Sequence, residues 1–413
     1  MSRAAKPREP RAVVVGGGIG GLTTALALRR SGWRVTVLER AASLEPVGSG
    51  IALAPNAQRA LDVLGLGDGV RELAAWQGGA GLRAPNGRWL VRTTSAATAR
   101  RFGGALVLLH RATLVDLLVG ALPGDCLRTG AAARLTDAGG PDRPAVVTTA
   151  DGDDLEADLV VGADGINSAV RATLFPEHPG PVYTGFTAWR LIVPASGRSF
   201  EPHETWGRGG LWGTQPLKDG RVYAYATALV PPGTRAPDDE KAELTRRFAA
   251  WHDPIPEIVA AARPEDVLRN DVWHMATPLA AHHRGRVALV GDAAHAMAPT
   301  LGQGGNQAIE DGVVLGHHAR PGGDLFAGLA AHSAARVPRT TAVVRRAART
   351  ARLNHLSSGA LVAARDTALR ALSLLGPNLI TRGFASIADW RPPTDPYAAG
   401  TDAGAHPRPP ARR

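Results

Sequence analysis

Gly16-x-Gly18-x-x-Gly21, followed by Glu39, is the pattern in this chain with the most definite chemistry. At that spacing, Gly16 permits a tight turn, Gly18 lets a pyrophosphate approach the backbone, and Gly21 lets a helix pack on a strand. The helix that follows would point its unpaired N–H groups at the phosphates. Glu39 stands 23 residues after Gly16, where a carboxylate can accept hydrogen bonds from ribose hydroxyls, and Arg40 adjoins it. A structural Gly-rich turn would not require the acid. The motif therefore reads as a dinucleotide site, and alone it leaves NAD and FAD open.

Two further blocks narrow the choice. Asp158-Leu-Val-Val-Gly162-Ala-Asp164-Gly165 is followed by Ser168, Val170 and Arg171. Gly285-Arg-Val-Ala-Leu-Val-Gly291-Asp292-Ala-Ala-His295 leads into Pro299, Gly302, Gly304, Gly305 and Asn306. With these blocks the sequence resembles the single-component flavoprotein aromatic hydroxylases, the family of p-hydroxybenzoate hydroxylase, salicylate hydroxylase and zeaxanthin epoxidase. It is most similar to the shorter, salicylate-hydroxylase-like members. The likeness runs from Arg11 to about Pro393, and the block from Gly291 to Asp311 is its most specific part.

The resemblance implies FAD as bound cofactor, NADH or NADPH as reductant, and dioxygen adding at flavin C4a. The terminal oxygen of that hydroperoxide would pass to an electron-rich carbon of a small aromatic substrate. Epoxidation, nitrogen or quinone oxidation, and non-catalytic flavin binding are the alternatives. It also implies that Gly302 to Asn306 lie beside the isoalloxazine, with Pro299 near the site of oxygen attack. Asp164-Gly165 would be a second fingerprint serving both FAD and NAD(P)H, Arg111 an FAD contact, and Gly50 and Ile51 a stretch passing near the flavin. Physical chemistry agrees: Asp292, after a buried strand, can accept bonds from ribityl hydroxyls. The helix starting near Gly304 favours the negative charge of reduced flavin. His295 reads as structural.

On the substrate side, Tyr183-Thr-Gly-Phe-Thr-Ala-Trp189-Arg190 resembles the opening strand of the family's substrate sheet. In Arg221-Val-Tyr223-Ala-Tyr225-Ala, strand alternation puts both tyrosines on one face. Tyr223 and Tyr225 could stack on or hydrogen-bond an aromatic ring, and Arg190 could attract a carboxylate or phenolate. Trp206 and Trp212 are further candidates, against a plain reading of all these residues as sheet packing. No general base is assigned.

The elements that must position these residues follow from periodicity. Arg11–Val15 and Arg34–Leu38 read as strands around a helix with Leu22, Ala25 and Leu26 on one side, a βαβ unit. Hairpins are expected at Asn86-Gly87 and Asp151-Gly152, a sheet-rich stretch from Tyr183 to Leu229, and helices from about Leu325 to Ile387. The expected fold is α/β: a Rossmann-like FAD-binding domain of p-hydroxybenzoate hydroxylase type with an inserted substrate sheet and a helical C-terminal segment. The FAD-binding domain takes 1–75, 99–180 and 276–322. A hairpin at 76–98 and residues 181–275 form the substrate sheet, 323–390 the C-terminal helices, and 391–413 a loose tail.

Composition limits the rest. The formal charge is +10, carried almost wholly by arginine, since Lys6, Lys218 and Lys241 are the only lysines. Arg336, Arg339, Arg345, Arg346, Arg349 and Arg352 cluster in one presumed helix without any nucleic-acid-binding signature, so a solvated or structural role is expected. Weak peripheral membrane association is the alternative for that helix. The single cysteine, Cys126, reads as a buried thiol and excludes cysteine-based metal sites. No metal motif, GxSxG or second GxGxxG occurs, and the five glycines between 16 and 21 argue against a signal peptide. A cytoplasmic monomer or homodimer, with no membrane span and no nucleic-acid partner, is expected.

Overall fold

The computed structural model describes residues 9–44, 49–73, 81–92, 106–195, 197, 201–374 and 386–393. A six-stranded sheet organises the nucleotide side, in the order His283–Arg284, Val287–Leu289, Leu159–Gly162, Arg11–Val15, Arg34–Leu38 and Leu127–Arg128. All neighbours are parallel except the first pair. Both faces are covered, so the central strands Val287–Leu289, Leu159–Gly162 and Arg11–Val15 are near-continuous apolar runs rather than alternating. Ala12, Val14, Val35, Val37, Leu159 and Val161 enter one core, while Val13, Val15, Leu38 and Val160 enter the other.

Helix Ile19–Arg30 crosses helix Gly304–His318 on the first of these cores. Small residues permit the approach: a Cβ on Gly312 would lie 2.8 Å from the Thr24 nitrogen, and one on Gly20 would lie 3.2 Å from Ala308. Cys126 is buried at the sheet's edge, with Sγ 3.3 Å from the Val35 carbonyl.

The second sheet has seven strands, in the order Leu268–His274, Val182–Pro194, Arg221–Leu229, Gly210–Pro216, His203–Trp206, Gly81–Arg83 and Trp89–Arg92. The last two form the hairpin expected at Asn86-Gly87. Alternation separates its faces. Trp189, Leu191, Trp212, Val222, Ala224 and Ala226 pack on the residues of helices Glu240–Phe248 and Ile255–Ala261. Arg190, Tyr223 and Tyr225 occupy the opposite face, because each is one position out of step with those residues.

Trp212 therefore does not join the tyrosines. It is fully buried, its Nε1 donates to the Thr214 hydroxyl at 3.0 Å, and its ring lies 5.3 Å from that of Phe248. It is a core residue of the far face, which removes it from the substrate set.

The C-terminal segment contributes helices Leu325–Asn354 and Gly359–Leu374. The long helix buries the first residues of its arginine cluster. Arg336 is 1% exposed and ion-pairs with Glu310 and Asp311, and Arg339 pairs with Glu310. The start of the cluster is thus structural, while Arg345, Arg349 and Arg352 are exposed. Among the described residues, no helix is long and apolar enough to cross a membrane.

His332, on the same helix, is fully buried, and that burial lowers its pKa from 6.5 to about 4 against the opposing pull of Asp311. Its imidazole is neutral in the fold and protonates in the unfolded chain from pH 6.5 downward. Stability is then complete above pH 6.5 and declines as pH falls toward 4. The expected loss at pH 5 from this group is about 2 kcal/mol. Chemical unfolding at pH 7.5 and pH 5 should show the loss, and His332→Asn should reduce the difference between the two.

Candidate active site

Three strand-end turns meet at the carboxyl edge of the parallel sheet. Gly16 has φ +110°, and a Cβ there would lie 2.3 Å from the Ala163 carbonyl, one residue before Asp164. Val290 donates its N–H to Gly162 at 3.0 Å, which sets the Gly291-Asp292 turn beside the Asp164-Gly165 turn. Arg171 is buried and joins these two turns, donating to the Ile166 carbonyl at 2.7 Å and the Ala293 carbonyl at 3.1 Å.

This convergence leaves a cleft that fits a dinucleotide. A Cβ on Gly18, Gly165 or Gly302 would meet nothing within 4 Å, so all three border open space. Gly21 is different: its Cβ would sit 1.9 Å from the Gly16 carbonyl, so it serves helix-on-strand packing. Helix Ile19–Arg30 has no side-chain cap, and its first-turn N–H groups are left for phosphate. Glu39 accepts from Gly17 N–H at 2.6 Å and Ala41 N–H at 2.9 Å, which fixes its carboxylate at the rim. Arg40 is exposed beside it.

Helix Gly304–His318 likewise lacks a side-chain cap, leaving first-turn N–H groups at Gly304, Gly305 and Asn306. The Asn306 side chain is otherwise engaged, accepting from Ala54 N–H at 2.8 Å and donating to the Ala52 carbonyl at 2.9 Å and the Gly302 carbonyl at 2.6 Å. It staples the strand Gly50–Leu53 to this helix, so only its backbone faces a ligand. Asp164 is also occupied: it accepts from the Ser168 hydroxyl at 2.5 Å and from Val170 N–H at 3.1 Å. Pro299 is exposed in a short turn tied to the long helix by the Thr300 hydroxyl, which donates to the Ala347 carbonyl at 2.7 Å.

Asp292 lies near Gly304, 3.9 Å from the position a Cβ would take there. Enclosure in the cleft pushes its carboxyl above the ordinary range, while His295 and Arg111 pull the other way. Solvent still reaches the side chain, as befits a group lining an open cleft. Arg111 follows the strand Val107–His110, whose partner is Gly50–Leu53, and its N–H bonds the Ser49 carbonyl at 2.9 Å. Enclosure in the cleft and the neighbouring Arg190 both lower the Arg111 pKa, a crowding of cations that suits an anion.

The strand Gly50–Leu53 joins the two halves of the site. Ile51 packs where a Gly305 side chain would be, its Cδ1 2.9 Å from that Cβ position. On its other side, a Cβ on Gly50 would be 2.5 Å from the Tyr223 ring. The Tyr223 ring lies beside Arg190 and 5.7 Å, centroid to centroid, from the ring of Tyr225. Burial raises both phenol pKa values, that of Tyr225 well above 10, helped by Glu204. Glu204 was not singled out from sequence. It accepts from the Tyr225 hydroxyl at 2.5 Å and from Trp206 Nε1 at 2.8 Å.

A Rossmann-type cleft opening beside a mixed sheet, with tyrosines and arginine on the sheet face turned toward it, is the layout of the flavin-dependent aromatic hydroxylases. Residues 9–347 match the FAD binding domain family, and the chain belongs to that family. It is 38% identical over 330 residues to the aurachin C monooxygenase/isomerase of Stigmatella aurantiaca, covering 79% of this chain and 85% of that one. The 3-amino-4-hydroxybenzoate 2-monooxygenase of Streptomyces cremeus is 36% identical over 383 residues, covering 88% and 92%. Klebsiella pneumoniae HpxO, solved with FAD and uric acid, superimposes with a TM-score of 0.84 at 28% identity, covering 93% of this chain and 97% of that one. The protein is an FAD-dependent monooxygenase of the aromatic hydroxylase type.

Proposed function

We propose that this enzyme hydroxylates a small aromatic compound at the face bearing Tyr223, Tyr225 and Arg190, with NADH or NADPH as reductant. The observation that carries the reading is the strand Gly50–Leu53, which packs on Gly305 at the cofactor cleft and on Tyr223 at the substrate face. The relatives above act on aurachin C and 3-amino-4-hydroxybenzoate, and the HpxO structure holds uric acid, all compounds with unsaturated rings.

Bound FAD supplies the oxygen activation that no side chain can provide. The chain's own residues bind and orient. Gly16, Gly18 and Glu39 hold the pyrophosphate and ribose while Gly21 lets the helix close on the strand that carries them, Asp292 takes the ribityl hydroxyls, and Arg111 takes a phosphate oxygen. Gly50, Ile51, Gly165, Gly302, Gly304, Gly305 and Asn306 offer backbone to the remainder. Arg190 and Tyr223 orient a phenolate or carbonyl oxygen of the substrate, and Pro299 helps keep water from the reacting edge.

The test follows NAD(P)H consumption by the holoenzyme against phenols, aromatic acids, indoles and quinolones under labelled dioxygen. Stimulated consumption with one labelled oxygen in the product is expected. Indifference to every compound would defeat the reading.

A further inference from the structure

Arg190, Tyr225, Gly213 and Glu204 form one register row across four strands: Arg190 faces Tyr225, Tyr225 faces Gly213, and Gly213 faces Glu204. Three strand spacings separate the ends, about 14 Å between backbones. Gly213 is what lets the row work, because a Cβ there would lie 2.1 Å from the Tyr225 ring. The tyrosine thus lies across Gly213 and reaches Glu204. One end of the row carries a guanidinium and the other a carboxylate, with an aromatic floor between them.

The carboxylate end is incomplete. Among the described residues no cation lies within ion-pair distance of Glu204, whose bonds come from two neutral donors, Tyr225 and Trp206. A carboxylate has about four acceptor sites, so roughly half of its capacity is open. Beside it, near Tyr225, Gln215 Oε1 is buried without a hydrogen-bond partner. Enclosed acceptors without donors are costly in a finished core, and in a binding pocket they mark where a ligand's donor belongs. Ring N–H and amino groups both donate and can carry positive charge, which a lone enclosed carboxylate favours.

We propose that Glu204 is a specificity residue that selects aromatic substrates bearing an N–H donor on the edge opposite the oxygen held by Arg190. Gln215 Oε1 takes a second donor from the same edge. The inference rests on the hydroxylase reading and adds the substrate class to it. It predicts amino-aromatic or N–H heteroaromatic substrates in preference to purely oxygenated ones.

Two matched pairs test it with the FAD-loaded enzyme. They are 4(1H)-quinolone against its N-methyl derivative, and 3-amino-4-hydroxybenzoate against 4-hydroxy-3-methylbenzoate. Binding is read by calorimetry and by the change in flavin absorbance, and turnover by NAD(P)H consumption. The N–H member of a pair should bind at least about tenfold more tightly in the wild type, as expected for a hydrogen bond to a charged group. Glu204→Leu should bring that ratio to about one, and Glu204→Gln should retain part of it. Should Glu204→Leu fail to fold, the wild-type ratio and Glu204→Gln decide. Equal binding within both wild-type pairs, or a ratio untouched by both variants, would overturn the proposal and leave the hydroxylase reading standing. Failure of all four compounds to bind or to stimulate consumption would overturn the proposal, while the hydroxylase reading answers to the wider panel above.

Discussion

Arg336→Met is expected to destabilise the protein by about 3–5 kcal/mol, because it strands two buried carboxylates. The guanidinium reaches Glu310 Oε2 and Asp311 Oδ1 at 2.5 Å each, and the Gln307 carbonyl and Oε1 at 3.1 and 2.9 Å. Burial opposes charge on Asp311, but His295 and Arg336 outweigh it and hold this carboxyl far below the usual range. Removing the guanidinium removes one of those supports while burial persists. Arg339 and Asn56 still serve Glu310, so the larger loss falls on Asp311.

That loss has a functional side. Asp311 accepts the N–H of Gly291 at 2.8 Å and the His295 Nε2 bond at 2.5 Å, so it anchors the turn that presents Asp292. Arg336→Met should therefore lower flavin occupancy as well as the denaturation midpoint. Arg336→Lys should recover little, since an ammonium cannot span both acids with a fork of donors. Unfolding in denaturant with and without added FAD measures both effects. An unchanged midpoint would mean that the cluster contributes nothing net. Acid works on the same group: the stability contributed by Asp311 is present above about pH 3.9 and disappears as pH falls toward its depressed folded value.

The residues legible in the sequence were those whose work is local. A glycine spacing states which backbone atoms must come close, and the positions of Gly16 and Gly21 follow from it. Alternation correctly put Tyr223 and Tyr225 on one face, yet it cannot say which face of a sheet meets helices and which meets the cofactor. Trp212 went astray there, since a large aromatic fits either side. Glu204 was illegible for another reason: its contact with Tyr225 depends on register across two strand pairings, and no local pattern carries that. Asp311 and Arg336 stand 25 residues apart on different helices, and a charge in a helical segment ordinarily reads as solvated. Asp164 and Asn306 show the complementary case. Motif position brought them to the cleft, while their side chains turned to bracing the backbone around it.

The second large effect separates binding from folding at neighbouring glycines. Gly18→Val adds atoms to space that is open in the chain itself, and Gly18 is already extended at φ −74°, ψ 179°, which suits a β-branched residue. The apoprotein should unfold within about 0.5 kcal/mol of the wild type, as for a substitution that disturbs no packing. FAD affinity should nevertheless fall at least about a hundredfold, because the added side chain stands where the pyrophosphate must approach the helix N-terminus. Gly21→Val should behave otherwise. Its Cβ would overlap the Gly16 carbonyl at 1.9 Å and crowd the Ala163 side chain at 3.3 Å, so the strand and helix must separate. Overpacking of that kind costs about 1–3 kcal/mol or more, and the apoprotein itself should lose stability. Calorimetric titration with FAD and denaturant unfolding of both apoproteins give the comparison. If Gly18→Val bound FAD as the wild type does, the pyrophosphate could not lie at this turn, and the cleft would have to hold its dinucleotide some other way.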